Sequence, residues 1–369
     1  MLWTMSPRLW PPGWLAPVER LVVCAAREIR MLGVLTPVDA RLERERLVTE
    51  LRAGRRADPR WTYLRPEQDG LRRALDAAER ALAHERSTPL ASLYLGRVRE
   101  LLLEAALCAA AGTPQVAGLA SQRFGAASPG DTSGASQLCA RWLAEAAPTT
   151  DRGPVVASDA PGPGSLLSLM REAVGRTRLP FRVVAAPALA PLAATGEKEI
   201  YVATGRPVTA EDAARTVLHE IEGHARPRAR SMSTLSLLFQ VGTARGADDQ
   251  EGRALLLEER AGFLGPSRRR QLAARHRAVE AMRDGASFAD VAFELARVHG
   301  FDETDAVIAA ERAFRGGDGV RAGLGRERVY LESLVRVRAH LTEHPDDEEV
   351  LSCGQVSVDA LEPLRRFAA

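Results

Sequence analysis

The sequence predicts a mainly helical α+β fold with one small β-sheet beside a polar helix. Apolar residues recur at three- and four-residue steps along most of the chain, which is the spacing of amphipathic helices. Two short β-prone runs, 181–185 and 199–203, are bounded by proline and glycine residues. The helix predicted after the second run carries a short sequence rich in histidine and glutamate. Together these observations place a functional helix directly after a small sheet.

Composition limits the class of protein. The chain has 369 residues, of which 46% are hydrophobic and 27% charged, as in a soluble globular protein of one large or two ordinary domains. A formal net charge of +2 provides no field that attracts nucleic acid or an anionic membrane. No apolar run reaches the roughly 18–20 residues that span a bilayer. We therefore expect neither a nucleic acid nor a membrane as partner.

The cysteines and the N-terminus bear on location. The four cysteines are widely separated and form no Cys-x-x-Cys pair, which favours free thiols in a reducing compartment. Residues 1–16 lack the basic start, apolar core and cleavage site of a signal peptide. We therefore expect a cytoplasmic protein with an N-terminal extension over residues 1–16, and the sequence leaves its oligomeric state open.

Residues 17–123 are predicted to form a helical N-terminal region. A helical pattern extends to about Ala53, with a break expected at Thr36-Pro37 because proline cannot continue a helix. Two longer amphipathic helices are expected near 67–85 and 89–111, and the Gly-Thr-Pro sequence that follows ends the second.

The composition changes twice in the second half of the chain. Residues 124–164 are rich in Gly, Ser, Pro and Ala, which predicts a linker or surface excursion with a short helix near 137–146. Residues 165–369 form the last predicted region, where Thr209 is expected to cap a helix because Asp212 follows three residues later. Further helices are predicted at 249–263, 267–284, 288–299, 304–315 and 328–343.

The helix after Thr209 contains the sequence His219-Glu-Ile-Glu-Gly-His224. It is similar to the zincin motif HExxH, in which two histidines bind zinc and the glutamate is the catalytic base. Here the spacing is one residue longer. Positions five apart on a regular helix differ by about 140°, so His219 and His224 cannot bind one metal from an undistorted helix.

Two local distortions would bring the histidines together. A π-turn with i→i+5 hydrogen bonds would align the two rings. Alternatively the helix would end at Gly223, which Pro227 favours because it cannot donate to that carbonyl. The sequence alone does not distinguish between these two distortions. The context supports a zincin-like core, because a strand over 200–203 precedes the helix and an apolar stripe anchors it, formed by Ala214, Val217, Leu218 and Ile221.

A third protein ligand is needed, because a catalytic zinc ion usually has three protein ligands and one water. The helix predicted from Asp249 presents Glu251 in its first turn. Glu258 and Glu259 on the same helix are the alternatives. We therefore expect one Zn²⁺ ion bound by His219, His224 and a carboxylate from this helix.

Four segments together resemble a known family, the tyrosine carboxypeptidases related to the microtubule-associated enzymes that remove the C-terminal tyrosine of α-tubulin, together with bacterial QEGLA-motif proteins. The segments are His219–His224, Gln250-Glu-Gly-Arg-Ala254, Arg312–Gly317 and Arg326–Leu331, in the family's order. The resemblance covers most of the chain after about residue 20. It implies a zinc metallocarboxypeptidase that removes a terminal, aromatic residue from the C-terminus of a peptide or protein.

The resemblance also implies the roles of individual residues. His219, His224 and Glu251 become the zinc ligands, and Glu220 the base that takes a proton from the attacking water. The remaining implied residues are those that bind the substrate's terminal carboxylate, where arginine pairs well, and a tyrosine that stabilises the oxyanion. These are Arg312, Arg315, Arg326 and Tyr330.

The sequence departs from the family pattern at two places near the site. Glu222-Gly223 stands where the family has Gly-Thr, and Arg253 replaces the leucine of QEGLA. These departures motivate a second hypothesis, a catalytically silent family member that acts as a metal-stabilised binding or regulatory protein. A third hypothesis is a helical scaffold without any metal.

Overall fold

The computed structural model describes residues 12–85, 88–125, 129–145, 153–187, 189 and 191–368. Most of the predicted N-terminal extension, residues 1–11, lies outside the described residues. Within the described residues the fold is mainly helical, which confirms the predicted mainly helical α+β class, but it has two small sheets where the sequence predicts one. None of the helices described is both long enough and apolar enough to cross a membrane.

The first part of the described chain is entirely helical. Its helices are α1 Leu15–Glu28, α2 Met31–Val34, α3 Ala40–Arg52, α4 Asp69–Ala83, α5 Pro89–Ala109, α6 Gln115–Arg123 and α7 Pro129–Leu143. The break expected at Thr36-Pro37 is confirmed between α2 and α3. An additional break separates α1 from α2 at Ile29–Arg30.

The strands form two small sheets. They are β1 Val155–Ala157, β2 Arg182–Ala186, β3 Ala193–Thr195, β4 Glu199–Ala203 and β5 Pro207–Thr209, with α8 Leu166–Thr177 between β1 and β2. β1 and β5 pair antiparallel. In the other sheet β4 lies between β2, which is parallel to it, and β3, which is antiparallel. Ile200 and Val202 of β4 belong to the same buried hydrophobic cluster as Leu166 and Met170 of α8.

The last part of the chain is again helical. It comprises α9 Ala210–Leu218, a π-turn His219–Ala225, α10 Arg226–Ser231, α11 Leu238–Val241, α12 Gly246–Arg260, α13 Pro266–Arg283, α14 Phe288–Arg297, α15 Glu303–Phe314, a 3₁₀ turn Arg326–Arg328, α16 Val329–Glu343, α17 Asp347–Leu351, a 3₁₀ turn Val358–Ala360, α18 Leu361–Leu364 and a 3₁₀ turn Arg365–Phe367.

The helix α12 is packed between the π-turn and α16. A Cβ atom at Gly252 would lie 2.4 Å from the backbone of Ser333 on α16. On the opposite side of α12, a Cβ atom at Gly223 would lie 2.6 Å from Cβ of Ala254. Both values are far below an ordinary carbon contact, so these two glycines allow three backbones to approach one another closely. This packing sets the position of α12 beside the π-turn.

The helix α7 lies in the stretch whose composition predicts a linker, and it is longer than expected. It begins at Pro129 rather than near 137. Leu138, Cys139 and Trp142 are buried in the hydrophobic cluster that also contains side chains of α13 and α16. Gly134 permits this approach, because a Cβ there would lie 3.0 Å from Val335 on α16. Part of the glycine content of this stretch therefore serves helix packing.

Candidate metal centre

The π-turn resolves the spacing of the two histidines. Thr209 caps α9 by accepting a hydrogen bond from the backbone N–H of Asp212 at 3.0 Å, as predicted. After Leu218 the backbone hydrogen bonds change to i→i−5, and the N–H of Arg226 donates to the carbonyl of Ile221. Each residue of a π-turn rotates the chain about the helix axis by a smaller angle than a residue of an α-helix does. As a result Nε2 of His219 and Nε2 of His224 lie 3.2 Å apart.

Of the two distortions considered, the structure contains the π-turn, and the helix does not end at Gly223. It continues directly as α10, with Pro227 in its first turn. The expectation that Pro227 marks a helix end is therefore wrong. Proline is tolerated in the first turn of a helix, where its missing N–H and fixed φ angle cost little.

Glu251 completes a cluster of three side chains. One of its carboxylate oxygens lies 3.5 Å from Nε2 of His219 and 3.9 Å from Nε2 of His224. One ligand atom from each residue can be chosen so that all lie within 4.8 Å of one another. Two imidazole nitrogens and one carboxylate oxygen form a donor set of catalytic zinc sites, so the residues present fit this metal.

Each histidine ring is held in its orientation by a hydrogen bond at Nδ1, the nitrogen that faces away from the cluster. Nδ1 of His219 lies 2.7 Å from a carboxylate oxygen of Glu258, and Nδ1 of His224 lies 2.9 Å from the amide oxygen of Gln250. Since both partners are acceptors, each Nδ1 carries the proton and donates it. In each ring Nε2 is then the nitrogen that binds a metal ion, once it carries no proton.

These orienting roles were not predicted from the sequence. Glu258 appears there only as an alternative ligand, and Gln250 only as part of a motif. A signal for Glu258 exists, because it lies seven positions after Glu251 and therefore two helical turns along the same face of α12. The other alternative ligand, Glu259, forms an ion pair with Arg338 at 2.7 Å instead.

Buried charges stabilise a cation at this position. Burial lowers the pKa of His219, but its hydrogen bonds to Glu251 and Glu258 outweigh burial and raise the pKa to about 10. Burial raises the pKa of Glu258, but the charge of Arg268 and the hydrogen bond from His219 outweigh it and lower the pKa to about 2. A metal ion that binds between these groups therefore displaces a proton from His219.

Glu220 lies beside this cluster and is held by the sheet. The hydroxyl of Thr195 on β3 donates to a carboxylate oxygen of Glu220 at 2.8 Å. Glu220 is largely buried, and β3 is an edge strand in contact with the π-turn. The sheet therefore lies next to the histidine-bearing helix, as expected, and Thr195 is a contact that the sequence does not predict.

Arg326 contacts the carboxylate of Glu251, the third candidate ligand, and Tyr330 contacts Arg326. One terminal nitrogen of Arg326 donates to the second carboxylate oxygen of Glu251 at 3.1 Å. The other donates to the hydroxyl oxygen of Tyr330 at 3.3 Å. Because this oxygen is the acceptor, the proton of the Tyr330 hydroxyl remains free to donate elsewhere. The structure thus brings Arg326 to the carboxylate of Glu251, and Tyr330 to Arg326.

Four arginines surround Glu327, and we call this group the arginine cluster. Its members are Arg275, Arg312, Arg315 and Arg326, whose charges all lower the pKa of Glu327. Arg312 donates to Glu327 at 3.0 Å, and Nε of Arg315 has no hydrogen-bond partner among the described residues. Burial and the neighbouring charge of Arg312 lower the pKa of Arg275 to about 9. The cluster therefore has positive charge in excess and suits an anionic group.

We expect Glu327→Gln to destabilise the protein by about 3 kcal/mol, because it leaves buried guanidinium groups without their shared carboxylate. Burial raises the pKa of Glu327, but Arg312 and Arg275 outweigh it and lower the pKa to about 2. The carboxylate therefore stabilises the fold above its ordinary pKa of 4.5, and this stabilisation is lost as the pH falls through about 2. Urea unfolding at several pH values measures it.

The exposed Glu362 on α18 provides the control, and Glu362→Gln should change the stability by less than about 0.5 kcal/mol. An equal loss of stability in both variants at neutral pH would contradict the role assigned to Glu327. A loss in Glu327→Gln that stays constant down to pH 2 would contradict it as well.

The residue types of this site are those of metal-dependent hydrolases: two histidines, a carboxylate as third ligand, and a separate glutamate. A family model described as microtubule-associated tyrosine carboxypeptidase matches residues 51–369. The chain therefore belongs to this carboxypeptidase family, which confirms the resemblance carried by the four motifs. The match begins near the end of α3, later than the expected residue 20. Comparison with curated proteins gives no match.

Proposed function

We propose that the protein is a zinc-dependent metallocarboxypeptidase with a zincin-like core, which removes the C-terminal residue of a peptide or protein. One observation carries the proposal. The Nε2 atoms of His219 and His224 converge with Glu251, Glu220 follows His219 directly and is held by Thr195, and Arg326 of the arginine cluster contacts Glu251. All these residues lie in the predicted catalytic region 165–369.

The chain's own residues account for the proton transfers. A zinc ion bound by His219, His224 and Glu251 would polarise the scissile carbonyl and acidify water. Glu220, held by Thr195, takes the proton of the attacking water and returns it to the leaving amine. The Tyr330 hydroxyl keeps its proton and donates a hydrogen bond to the developing oxyanion. Burial of these groups strengthens each interaction, because the surrounding dielectric constant is low.

The arginine cluster supplies the specificity for a chain terminus. A free terminal carboxylate is an anion that a guanidinium group binds with two parallel hydrogen bonds. Arg315 is the first candidate, because its Nε lacks a partner within the described residues, and Arg312, whose Nε is bonded to Glu327, is the second. Arg326 already contacts Glu251 and Tyr330, so it also holds these groups in place. The family's description names tyrosine, so a terminal aromatic residue is the proposed substrate.

The test uses purified protein, its zinc content, and peptides that differ only in their last residue. We expect one zinc ion per chain and release of the last residue, fastest for an aromatic one. The same peptides with a C-terminal amide should react at least about 100-fold more slowly, because the buried arginines then have no anion to bind. Cleavage of internal bonds, or equal cleavage of the amides, would overturn the carboxypeptidase assignment.

The variant His219→Ala tests the metal site separately. We expect it to lose the stoichiometric zinc of the wild type. A wild-type protein without zinc would support the metal-free scaffold, and zinc without hydrolysis would support the silent binding protein. The departure at Glu222 does not favour the silent protein, because both oxygens of its carboxylate are bonded to Arg226, one of them at 2.6 Å.

A further inference from the structure

The π-turn leaves one backbone carbonyl without its helical donor. In the i→i−5 register, the N–H of Arg226 donates to Ile221. The next donor would be residue 227, and its acceptor would be the carbonyl of Glu222. Residue 227 is proline and has no N–H. Glu222 is half-buried, and a carbonyl that is shielded from water without a partner costs up to about 1–3 kcal/mol, so another donor at this position stabilises the turn.

Arg253 supplies that donor from a different helix. One of its terminal nitrogens donates to the carbonyl of Glu222 at 3.0 Å. Its Nε donates to Glu348 of α17 at 2.7 Å, and only 8% of its side chain is exposed. The guanidinium is therefore fixed at two points, and its hydrogen bond to the carbonyl is charge-assisted, which makes it stronger than a bond between neutral groups.

This contact joins the two parts of the metal site. Arg253 lies two residues after Glu251 on α12, and its neighbour Ala254 packs against Gly223 of the π-turn. The π-turn carries both histidines, and α12 carries Glu251, the third candidate ligand. The bond from Arg253 to the turn therefore links the element that carries the histidines to the one that carries Glu251.

We propose that Arg253 is a positioning residue of the metal site, which replaces the missing N–H of Pro227 and holds the π-turn against α12. The inference rests on the proposed zinc site and adds to it a residue that touches neither metal nor substrate. It also explains a departure from the family pattern, because the leucine of QEGLA has no donor for this carbonyl.

Arg253→Leu should weaken zinc binding by about 10- to 100-fold, the range typical of residues that support metal ligands. Zinc affinity is measured by competition with a chromophoric chelator. Hydrogen–deuterium exchange of the zinc-free protein gives a second measurement, and amides of the π-turn should exchange faster in the variant. Arg253→Lys keeps one charged donor, so its zinc affinity and its amide exchange should lie between those of Arg253→Leu and the wild type.

The double variant Arg253→Leu/Pro227→Ala is the decisive experiment. Alanine at position 227 restores a backbone N–H in the register of the Glu222 carbonyl, so zinc affinity should recover by at least about fivefold relative to Arg253→Leu, about 1 kcal/mol in the affinity arithmetic. Arg260→Leu is the matched control. Arg260 also pairs with Glu348, at 3.3 Å, but its side chain is half exposed and is not bonded to the turn.

Wild-type affinity and wild-type exchange in Arg253→Leu would overturn the inference. A weakened Arg253→Leu that Pro227→Ala does not rescue would overturn it too, because Arg253 would then act through Glu348 alone. If the wild type binds no zinc, the proposed function fails, and hydrogen–deuterium exchange of the π-turn in the same variants still decides whether Arg253 holds it.

Discussion

Glu220→Gln is expected to lower kcat/KM for a C-terminal free-acid peptide by at least about 10³-fold, within the range of general acid–base catalysis. Glutamine has nearly the same shape, and its amide oxygen still accepts the hydrogen bond from Thr195. It cannot take a proton from water, so the loss is chemical and not structural. The zinc content should stay at the wild-type value, which a metal analysis of the same preparation measures.

Glu222→Gln is the matched control for this experiment. It removes a carboxylate from the same π-turn, two residues further along, whose partner is Arg226. We expect its activity to stay within about twofold of the wild type, as for substitutions outside the site. More than a tenth of wild-type activity in Glu220→Gln would show that Glu220 is not the base.

Gly223→Ala should disturb the fold and the site together. The new Cβ would lie 2.6 Å from Cβ of Ala254, so the π-turn and α12 must move apart. Overpacking of this kind typically costs about 1–3 kcal/mol. The histidines and Glu251 lie on opposite sides of this contact, so zinc affinity should fall by at least about tenfold, as when a supporting residue is lost. Thermal unfolding and chelator competition measure the two effects.

The exchange of the two small residues gives a direct control. In Gly223→Ala/Ala254→Gly the same number of methyl groups is present, but the clash is removed, so zinc affinity should return towards the wild type. Gly175→Ala in α8 is a second control, because a Cβ there meets nothing within 4 Å. It should be neutral or stabilising by up to about 1 kcal/mol. A normal zinc affinity in Gly223→Ala alone would contradict the importance of this contact.

Each of the five residues of the motif Gln250–Ala254 contributes to the candidate site, but the sequence does not show most of these contributions. Gln250 orients His224, and Glu251 joins the histidines. Gly252 lets α16 approach, Arg253 donates to the π-turn, and Ala254 packs against Gly223. From sequence, only Glu251 receives a role, because each of the other four acts on a residue far away along the chain.

The sequence by itself determined most of the longer helices, the strand before the histidine-bearing helix, the Thr209 cap, and His219, His224 and Glu251 as candidate ligands. These follow from local periodicity, turn chemistry and motif spacing, which depend on residues a few positions apart. It also showed that His219 and His224 need a distorted helix. Only the tertiary structure selected the π-turn, because α12 packs against Gly223 and Arg253 satisfies the carbonyl that Pro227 leaves unpaired. Such contacts join residues about 30 or more positions apart, and no local pattern determines them.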